Sequence, residues 1–530
     1  MKALRIMCPS SVTDKSLRKL EHYYGIEFER GASNGGGENG YHAMIGDEEL
    51  LKNLTFHNLI QIGLVKNGVK QATFNQTNWN KTKEGASVSL AGDDGSDVMQ
   101  TFPTLYAIIG GTNSIYERYI ISDEPFSYDG DEAEEIHPYA ETPDFEVIVS
   151  NVARSIYNPT IAGTQGTTRL TNISAEGDYV NANGYPSGSK SRYGFESAAR
   201  AKNDNTLLNV PYANASTLDL ELIMALLYIE CRTKNLNSVF GHGISSNASP
   251  SESTWGTVSG CRVKNGDAWT YLRFNSNVYI SGEAVSMWSA INGQTSLLKI
   301  FEAQRAVSDG GTLEGVTNSD GEALQGLSDG VMTGIYTKTF TAKLTCALTS
   351  GGEVTERDVE VVLRVPVWRG RTRLWGNIWQ HLSGYDVLNY QDGEGVVHND
   401  LYRAKSIADM TTDTDETAKD SANEFAFVTK YEKIGDLGNT SGWMRDCLST
   451  VKGRIVLPGV NTGAAINNYQ SAYTYLDSEA TAGKYRRKTA GFFGGAAIHS
   501  SVVLRYCTAY SAPSSSSTAF GSGFRVELSE

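Results

Sequence analysis

Proline is scarce, 12 in 530 residues, so no Pro-rich linker is expected between parts of the chain. Long apolar runs are missing too. The longest, Leu222 to Ile229, is eight residues, against the roughly 20 that a bilayer demands; neither a spanning helix nor membrane insertion is expected. The start, MKALRIMCPSS, is basic but lacks the apolar core of a secretory signal. Positive charge is in short supply: 46 Lys and Arg face 60 Asp and Glu, a net charge of -14. That balance argues against a nucleic-acid partner, whose footprint is a basic patch. The densest basic clusters, KYRRK at 484–488 and RGRTR at 369–373, are short and isolated and read as solvated faces.

Metal-ligand spacing is absent as well. Six cysteines form no Cys-x-x-Cys and eight histidines form no His-x-x-x-His pair, so neither a metal nor another cofactor is expected. The scattered cysteines read as free, mostly buried thiols made in a reducing cytosol. Spacing leaves open a Cys261–Cys346 or a Cys447–Cys507 bridge. GLSDG at 326–330 matches Gly-x-Ser-x-Gly, but it leads into a strand-like run, whereas a nucleophile elbow joins a strand to a helix. GGGENG at 35–40 matches a dinucleotide fingerprint without a βαβ unit around it. No enzyme is expected.

What is present speaks of turns and strands: 54 glycines and 27 tyrosines. Thr13-Asp14 offers a cap, and the spacing of Leu17, Leu20 and Tyr24 predicts a short helix. Helical spacing returns in DEELLKNLTFHNLI (47–60), and Asn67-Gly68 predicts a hairpin turn. The acidic stretch 122–139 reads as solvated surface. Ser191 to Lys202 predicts a short amphipathic helix. Ser216 then caps a helix over 218–235 that is apolar on most faces and therefore buried. Strong alternation over 333–368 predicts a long hairpin turning at Ser350-Gly351-Gly352. Of eight tryptophans only Trp79 lies before residue 250, which places the bulkier core in the later part.

Several segments in order resemble a known group: DGSDVMQTFPTLY (94–106), SRYGFESAARAKND (191–204), LELIMALLYIECRTKNLNSVFGHGI (220–244), VWRGRTRLWGNIWQHLSGYDV (367–387), VLPGV (456–460), KTAGFFGGAA (488–497) and GFRV (523–526). The series resembles phage tail-fibre and tail-tip proteins with a C-terminal C-type-lectin-like domain, among them the variable proteins of diversity-generating retroelements. The resemblance implies an α+β fold. A small N-terminal mixed α/β attachment region (1–145) would precede a C-type-lectin-like domain (146–530) with few regular strands. That domain would carry a β-hairpin insertion around 290–365 and a display loop at 494–526. It also implies a virion protein made in the bacterial cytoplasm and binding a bacterial surface glycan or protein receptor. Its partners would be other tail proteins, with a homotrimer as the assembly. Diversified members change AAC codons to NNC, which never encode Lys, Glu, Gln, Met or Trp. Gly494 to Val526 contains none of those five, has no asparagine, and carries Ala497 where a tryptophan often follows the glycine pair. A structural virion component on the same fold is the alternative reading, and a formylglycine-type oxidase a more distant one.

On the binding reading, the expected receptor-contacting residues are Ala497, Ile498, His499, Ser501, Tyr506, Thr508, Tyr510, Ser511, Ser514, Ser516, Thr518 and Phe520. Tyrosine gives large contact area at low entropy cost, and serine gives adaptable hydrogen bonds. Alternation puts Tyr506, Thr508 and Tyr510 on one strand face, in core or on surface. Gly494, Gly495, Gly521 and Gly523 are expected in tight turns. Trp375, Asn377 and Trp379 are expected to support the loop from the core, the other option being sugar stacking, and Phe524 to pack beneath it. Arg525, if buried, needs a carboxylate or backbone carbonyls.

Overall fold

A computed structural model of the chain describes residues 22–29, 41–75, 78–88, 96–111, 116–128, 136–137, 146–155, 160–162, 167–169, 191–202, 212–234, 236, 261–265, 268–272, 274–280, 283–289, 337–350, 353–366, 368–369, 379–410, 415–450, 453–461, 472–489, 492–493, 505–509, 512–515 and 520–529. Among these, strands predominate over four α-helices: α1 (Glu48–Lys52), α2 (Arg192–Arg200), α3 (Thr217–Cys231) and α4 (Ala426–Lys430). The class is β-rich α+β, with more regular strand than the expected loop-dominated fold.

The centre is α3. Ser216 caps it, its Oγ accepting the Leu218 N–H at 3.0 Å, and Arg232 ends it in the left-handed region at φ 52°. Every helical residue but Leu218 is buried, the outcome expected for a helix apolar all round. A five-stranded sheet lies against it, in the order Val147–Val149, Tyr106–Gly111, Tyr116–Ser122, Tyr23–Glu29, Tyr41–Gly46. One apolar core joins Tyr24, Ile26, Phe28, Tyr119 and Ile121 of that sheet to α3, and continues to Trp368, Tyr385, Leu401, Ile455 and Leu476. Each fully buried Leu, Ile or Phe contributes about 1.5–3 kcal/mol.

Three carboxylates on α3 are buried in this apolar setting, and each gathers a distant segment. Asp219 pairs with Arg525 of the last strand (2.9 Å). Glu221 takes the Tyr385 hydroxyl and Arg454 Nη2. Glu230 takes Trp368 Nε1 at 2.8 Å and Arg369 Nε at 3.3 Å. Breaking such buried pairs costs several kcal/mol, so the three contacts fix which segments meet the helix.

The helix predicted from Leu17, Leu20 and Tyr24 does not extend to Tyr24. Tyr23–Glu29 is a strand, antiparallel to both Tyr41–Gly46 and Tyr116–Ser122; residues 1–21 lie outside those described. Period-two alternation of Tyr24, Ile26 and Phe28 onto the core outweighs the local three-to-four spacing. Gly25 is required there: a Cβ would meet the Tyr119 carbonyl oxygen. The 47–60 segment is helical in part, as α1 and a 3-10 turn at His57–Leu59. Asn67 and Gly68, at φ 51° and 75°, make the expected hairpin turn between Gln61–Lys66 and Val69–Asn75.

A seven-stranded sheet runs Tyr212–Asn214, Phe524–Glu527, Val152–Ser155, Asp97–Thr101, Gln61–Lys66, Val69–Asn75, Asn78–Thr82. Both this sheet and the five-stranded one take strands from either side of residue 145. The last strand therefore sits between segments 300 and more residues earlier in the chain, with Arg525 in register with both Arg154 and Ala213.

α2 begins at Ser191, whose Oγ accepts the Gly194 N–H at 3.2 Å. Its Arg192 and the strand residue Arg487 share buried Asp386 (2.6 and 2.7 Å). Between α3 and Trp368 the chain makes a β excursion. Thr337–Ser350 and Glu353–Pro366 pair over their full length, as the alternation predicts, and the first also pairs with Cys261–Asn265. The excursion thus begins well before residue 290. Cys261 faces Leu348 and Cys346 faces Val263, so these two cysteines do not occupy facing positions.

Candidate functional site

The face that brings expected site residues together is a second seven-stranded sheet. Its order is Ile455–Asn461, Gly442–Ser449, Ala472–Leu476, Arg505–Ala509, Phe492–Phe493, Trp379–His381, Phe520–Ser522. Two of its pairings are parallel: Ala472–Leu476 with Arg505–Ala509, and Trp379–His381 with Phe520–Ser522. Parallel neighbours need long crossovers, here the segments 477–504 and 382–519. Within the expected display loop, 494–526, Arg505–Ala509, Phe520–Ser522 and the start of Phe524–Glu527 are strand.

Within it, Tyr506 and Thr508 lie on Arg505–Ala509, and Phe520 opens Phe520–Ser522. Ser514 is exposed in a turn over 512–515. Ala497, Ile498, His499, Ser501, Tyr510, Ser511, Ser516, Thr518, Gly494, Gly495, Trp375 and Asn377 lie outside the described residues. Trp379 is buried. Gly523 and Phe524 are buried, and Arg525 has found its carboxylate.

Alternation in Ala472–Leu476 turns Thr474 and Leu476 inward and leaves Tyr473 and Tyr475 half-buried on the other face. Trp443, opposite Tyr473 in register, is half-buried on that same face. Trp443 meets Tyr473 edge-on with centroids 5.4 Å apart, and Tyr473 meets Tyr475 at 4.9 Å, both within the range of favourable aromatic pairs. Burial raises the Tyr473 hydroxyl pKa above the ordinary tyrosine value, and neighbouring Tyr475 adds to this; the group stays a neutral hydrogen-bonding phenol. Tyr506 and Thr508 are the register partners of Tyr473 and Tyr475. The backbone positions of Tyr506 and Thr508 thus fall in register with an aromatic row that sequence reading missed. Its signal was legible: Ala-Tyr-Thr-Tyr-Leu at 472–476 alternates.

Two polar arrangements hold this region. Glu416, in the acidic segment between Trp379–His381 and Gly442–Ser449, receives both the Ser514 N–H and its Oγ–H, the latter at 2.8 Å. Beneath the other edge, Ser522 Oγ contacts Asn214 Oδ1 and the His381 carbonyl (2.9 Å). Asn214 Nδ2 reaches Ser383 Oγ at 3.2 Å, and Ser383 donates to Glu196 at 2.9 Å. A satisfied buried network of this kind fixes one arrangement of strands.

No cluster of His, Cys, Asp and Glu suited to a metal occurs among the described residues. No helix among them is long and apolar enough to cross a membrane. Comparison with protein-family models and with curated proteins finds no match. The functional reading therefore rests on the residues themselves.

Proposed function

We propose that this chain is a phage tail-fibre or tail-tip protein that binds a bacterial surface glycan or protein through the aromatic face of its C-terminal sheet. The observation that carries the reading is the register of Tyr506 and Thr508 with Tyr473 and Tyr475, beside Trp443. Half-buried aromatic rings anchored on strands give large contact area at little entropic cost, the property that binding surfaces use. The ordered series of motifs from 94 to 526 supports the C-type-lectin-like assignment and, with it, a homotrimer attached to other tail proteins. Several weak sites on one particle would then act by avidity. The absence of five amino-acid types from 494–526 supports kinship with diversified variable proteins.

Virion adsorption tests this. Replacing 494–524 by the segment of another allele, or introducing Trp443→Ala or Tyr475→Ala, is expected to cut adsorption at least about tenfold, the scale of one binding hot spot. Unchanged adsorption in all three would sink it. A structural virion role is the second reading, favoured by the pairing of Arg505–Ala509 and Phe520–Ser522 into the sheet; it predicts intact adsorption but defective particle assembly.

A further inference from the structure

His398 stands at the start of a hairpin strand, Val397–Ala404, whose partner is Tyr385–Gln391. Its two ring nitrogens meet two different carboxylates: Nδ1 lies 2.6 Å from Asp436 Oδ2 and Nε2 lies 3.1 Å from Asp392 Oδ2. Each carboxylate uses its other oxygen to hold a backbone turn. Asp392 Oδ1 accepts the N–H groups of Glu394 (2.9 Å) and Val396 (2.8 Å) at the hairpin tip. Asp436 Oδ1 accepts those of Asn399 (3.0 Å) and Gly438 (2.9 Å). An ionised carboxylate only accepts hydrogen bonds, so both ring nitrogens must donate, and only the imidazolium has two N–H groups.

The other groups around the ring are compatible with that charge. Tyr390 stacks on it at 5.0 Å and packs against Tyr485 at 4.8 Å. Asp400, near the Tyr390 hydroxyl, is held by Lys433 at 2.5 Å. The imidazole is a quarter exposed, at 25%, so its proton exchanges with water.

The segment that Asp436 opens runs into Gly442–Ser449, which carries Trp443. Asn399 Nδ2 donates to the Gly438 carbonyl (2.8 Å) and to that of Asp477 (2.9 Å). Ser441 Oγ bonds the Leu476 backbone N–H at 2.9 Å. The turn that the imidazole holds therefore leads along the chain into the strand of Trp443.

We propose that His398 is a proton-operated clamp: as the imidazolium it ties the Asp392–Val396 hairpin tip to the Asp436–Gly438 turn that leads into the Trp443 strand, and loss of its proton frees the tip. The neutral ring keeps one N–H, which stays on the shorter Asp436 contact, and turns a lone pair toward Asp392. The hydrogen bonds from Asp436 and then Asp392 hold the His398 pKa above the ordinary histidine value. For a base whose folded pKa is raised, the stabilisation is complete below about 6.5 and is lost as pH rises through the folded pKa. The clamp stands on this geometry alone and does not depend on what the aromatic face binds.

The test uses the full-length protein with 13C-labelled histidine, the His398 signal being the one lost in His398→Gln. A titration midpoint above about 6.5 is expected, lowered by Asp436→Asn and less by Asp392→Asn. Backbone hydrogen exchange over 392–396, corrected for intrinsic rate, should rise several-fold as pH crosses that midpoint, and should already be fast at low pH in His398→Gln. A midpoint at or below 6.5, or corrected exchange indifferent to pH, overturns the clamp. Should Asp436→Asn fail to fold, a midpoint unmoved by the hairpin-tip variant Asp392→Asn overturns it equally.

Discussion

Arg525 Nε lies 2.9 Å from Asp219 Oδ2, joining the last strand to the first turn of the central helix across 306 residues. Arg154, directly opposite Arg525 in the sheet, is also fully buried, yet its Nε and Nη1 have no hydrogen-bond partner among the described residues. Burial pushes the Arg154 pKa down to about 10, with Asp219 opposing the shift and Arg525 adding to it. One carboxylate thus serves two buried guanidiniums.

That sharing orders two substitutions. Asp219→Asn leaves Arg154 without a facing carboxylate and Arg525 with only the half-exposed Glu527 (3.4 Å), and is expected to cost about 3–5 kcal/mol. Arg525→Met removes one of the two cations and leaves Asp219 to Arg154, so it should cost less, on the order of 1–3 kcal/mol. Guanidinium unfolding midpoints, at unchanged slope, measure both. The reverse order would mean that Arg154 draws nothing from Asp219.

The local logic of this fold was readable, because it is written within a few residues. Ser191 and Ser216 announce their helices, Asn67-Gly68 its hairpin, and the alternation of 337–366 its paired strands. The need of Arg525 for a carboxylate was also readable from charge and burial, but its partner was not, since nothing near residue 525 points to Asp219. Tyr23–Glu29 was misread because Leu17, Leu20 and Tyr24 share helical spacing while Tyr24, Ile26 and Phe28 share strand spacing. Two neighbouring strands decide between them. The parallel pairing of 472–476 with 505–509 follows from long-range register, so the alignment of Tyr506 with Tyr473 was invisible beforehand.

His57 makes acid stability a second test. It is fully buried, with Nδ1 2.7 Å from the Tyr24 hydroxyl and Nε2 2.8 Å from the Leu226 carbonyl. The carbonyl can only accept, so Nε2 carries the proton and Nδ1 takes the tyrosine's. Burial pushes the His57 pKa down to about 4. A base depressed on folding contributes its full stabilisation above about 6.5 and loses it as pH falls toward 4, about 3 kcal/mol in all. Denaturant unfolding at pH 7 and pH 4.5 should therefore show a larger loss in the native protein than in His57→Gln, which has no titrating group there. Equal losses would count against the buried neutral imidazole.

Glu416 offers a test that separates order from stability. Both its contacts to Ser514 lie at the surface, where hydrogen bonds and charges contribute about 1 kcal/mol or less. Glu416→Ala should leave the unfolding midpoint nearly unchanged while backbone exchange at 512–515 speeds up. A large fall in the midpoint would show that Glu416 supports more than this turn.

Glu230 and Trp368 test whether the root of the β excursion is pinned at the end of α3. Trp368 is buried, its Nε1–H reaches Glu230 at 2.8 Å, and Arg369 approaches the same oxygen at 3.3 Å. The Gln100 amide nitrogen, Nε2, donates to the Trp368 carbonyl at 3.5 Å. Trp368→Phe removes the indole donor and part of the ring volume while Arg369 stays on Glu230, so a loss of about 2–4 kcal/mol is expected from packing and the lost hydrogen bond together. Glu230→Gln alone should also destabilise, since it weakens the hydrogen bond and strips Arg369 of its charge partner. In the double variant the two losses should fall short of their sum by about 1 kcal/mol or more, the signature of groups in direct contact. Strict additivity would place the indole and the carboxylate in separate environments and undo the pin.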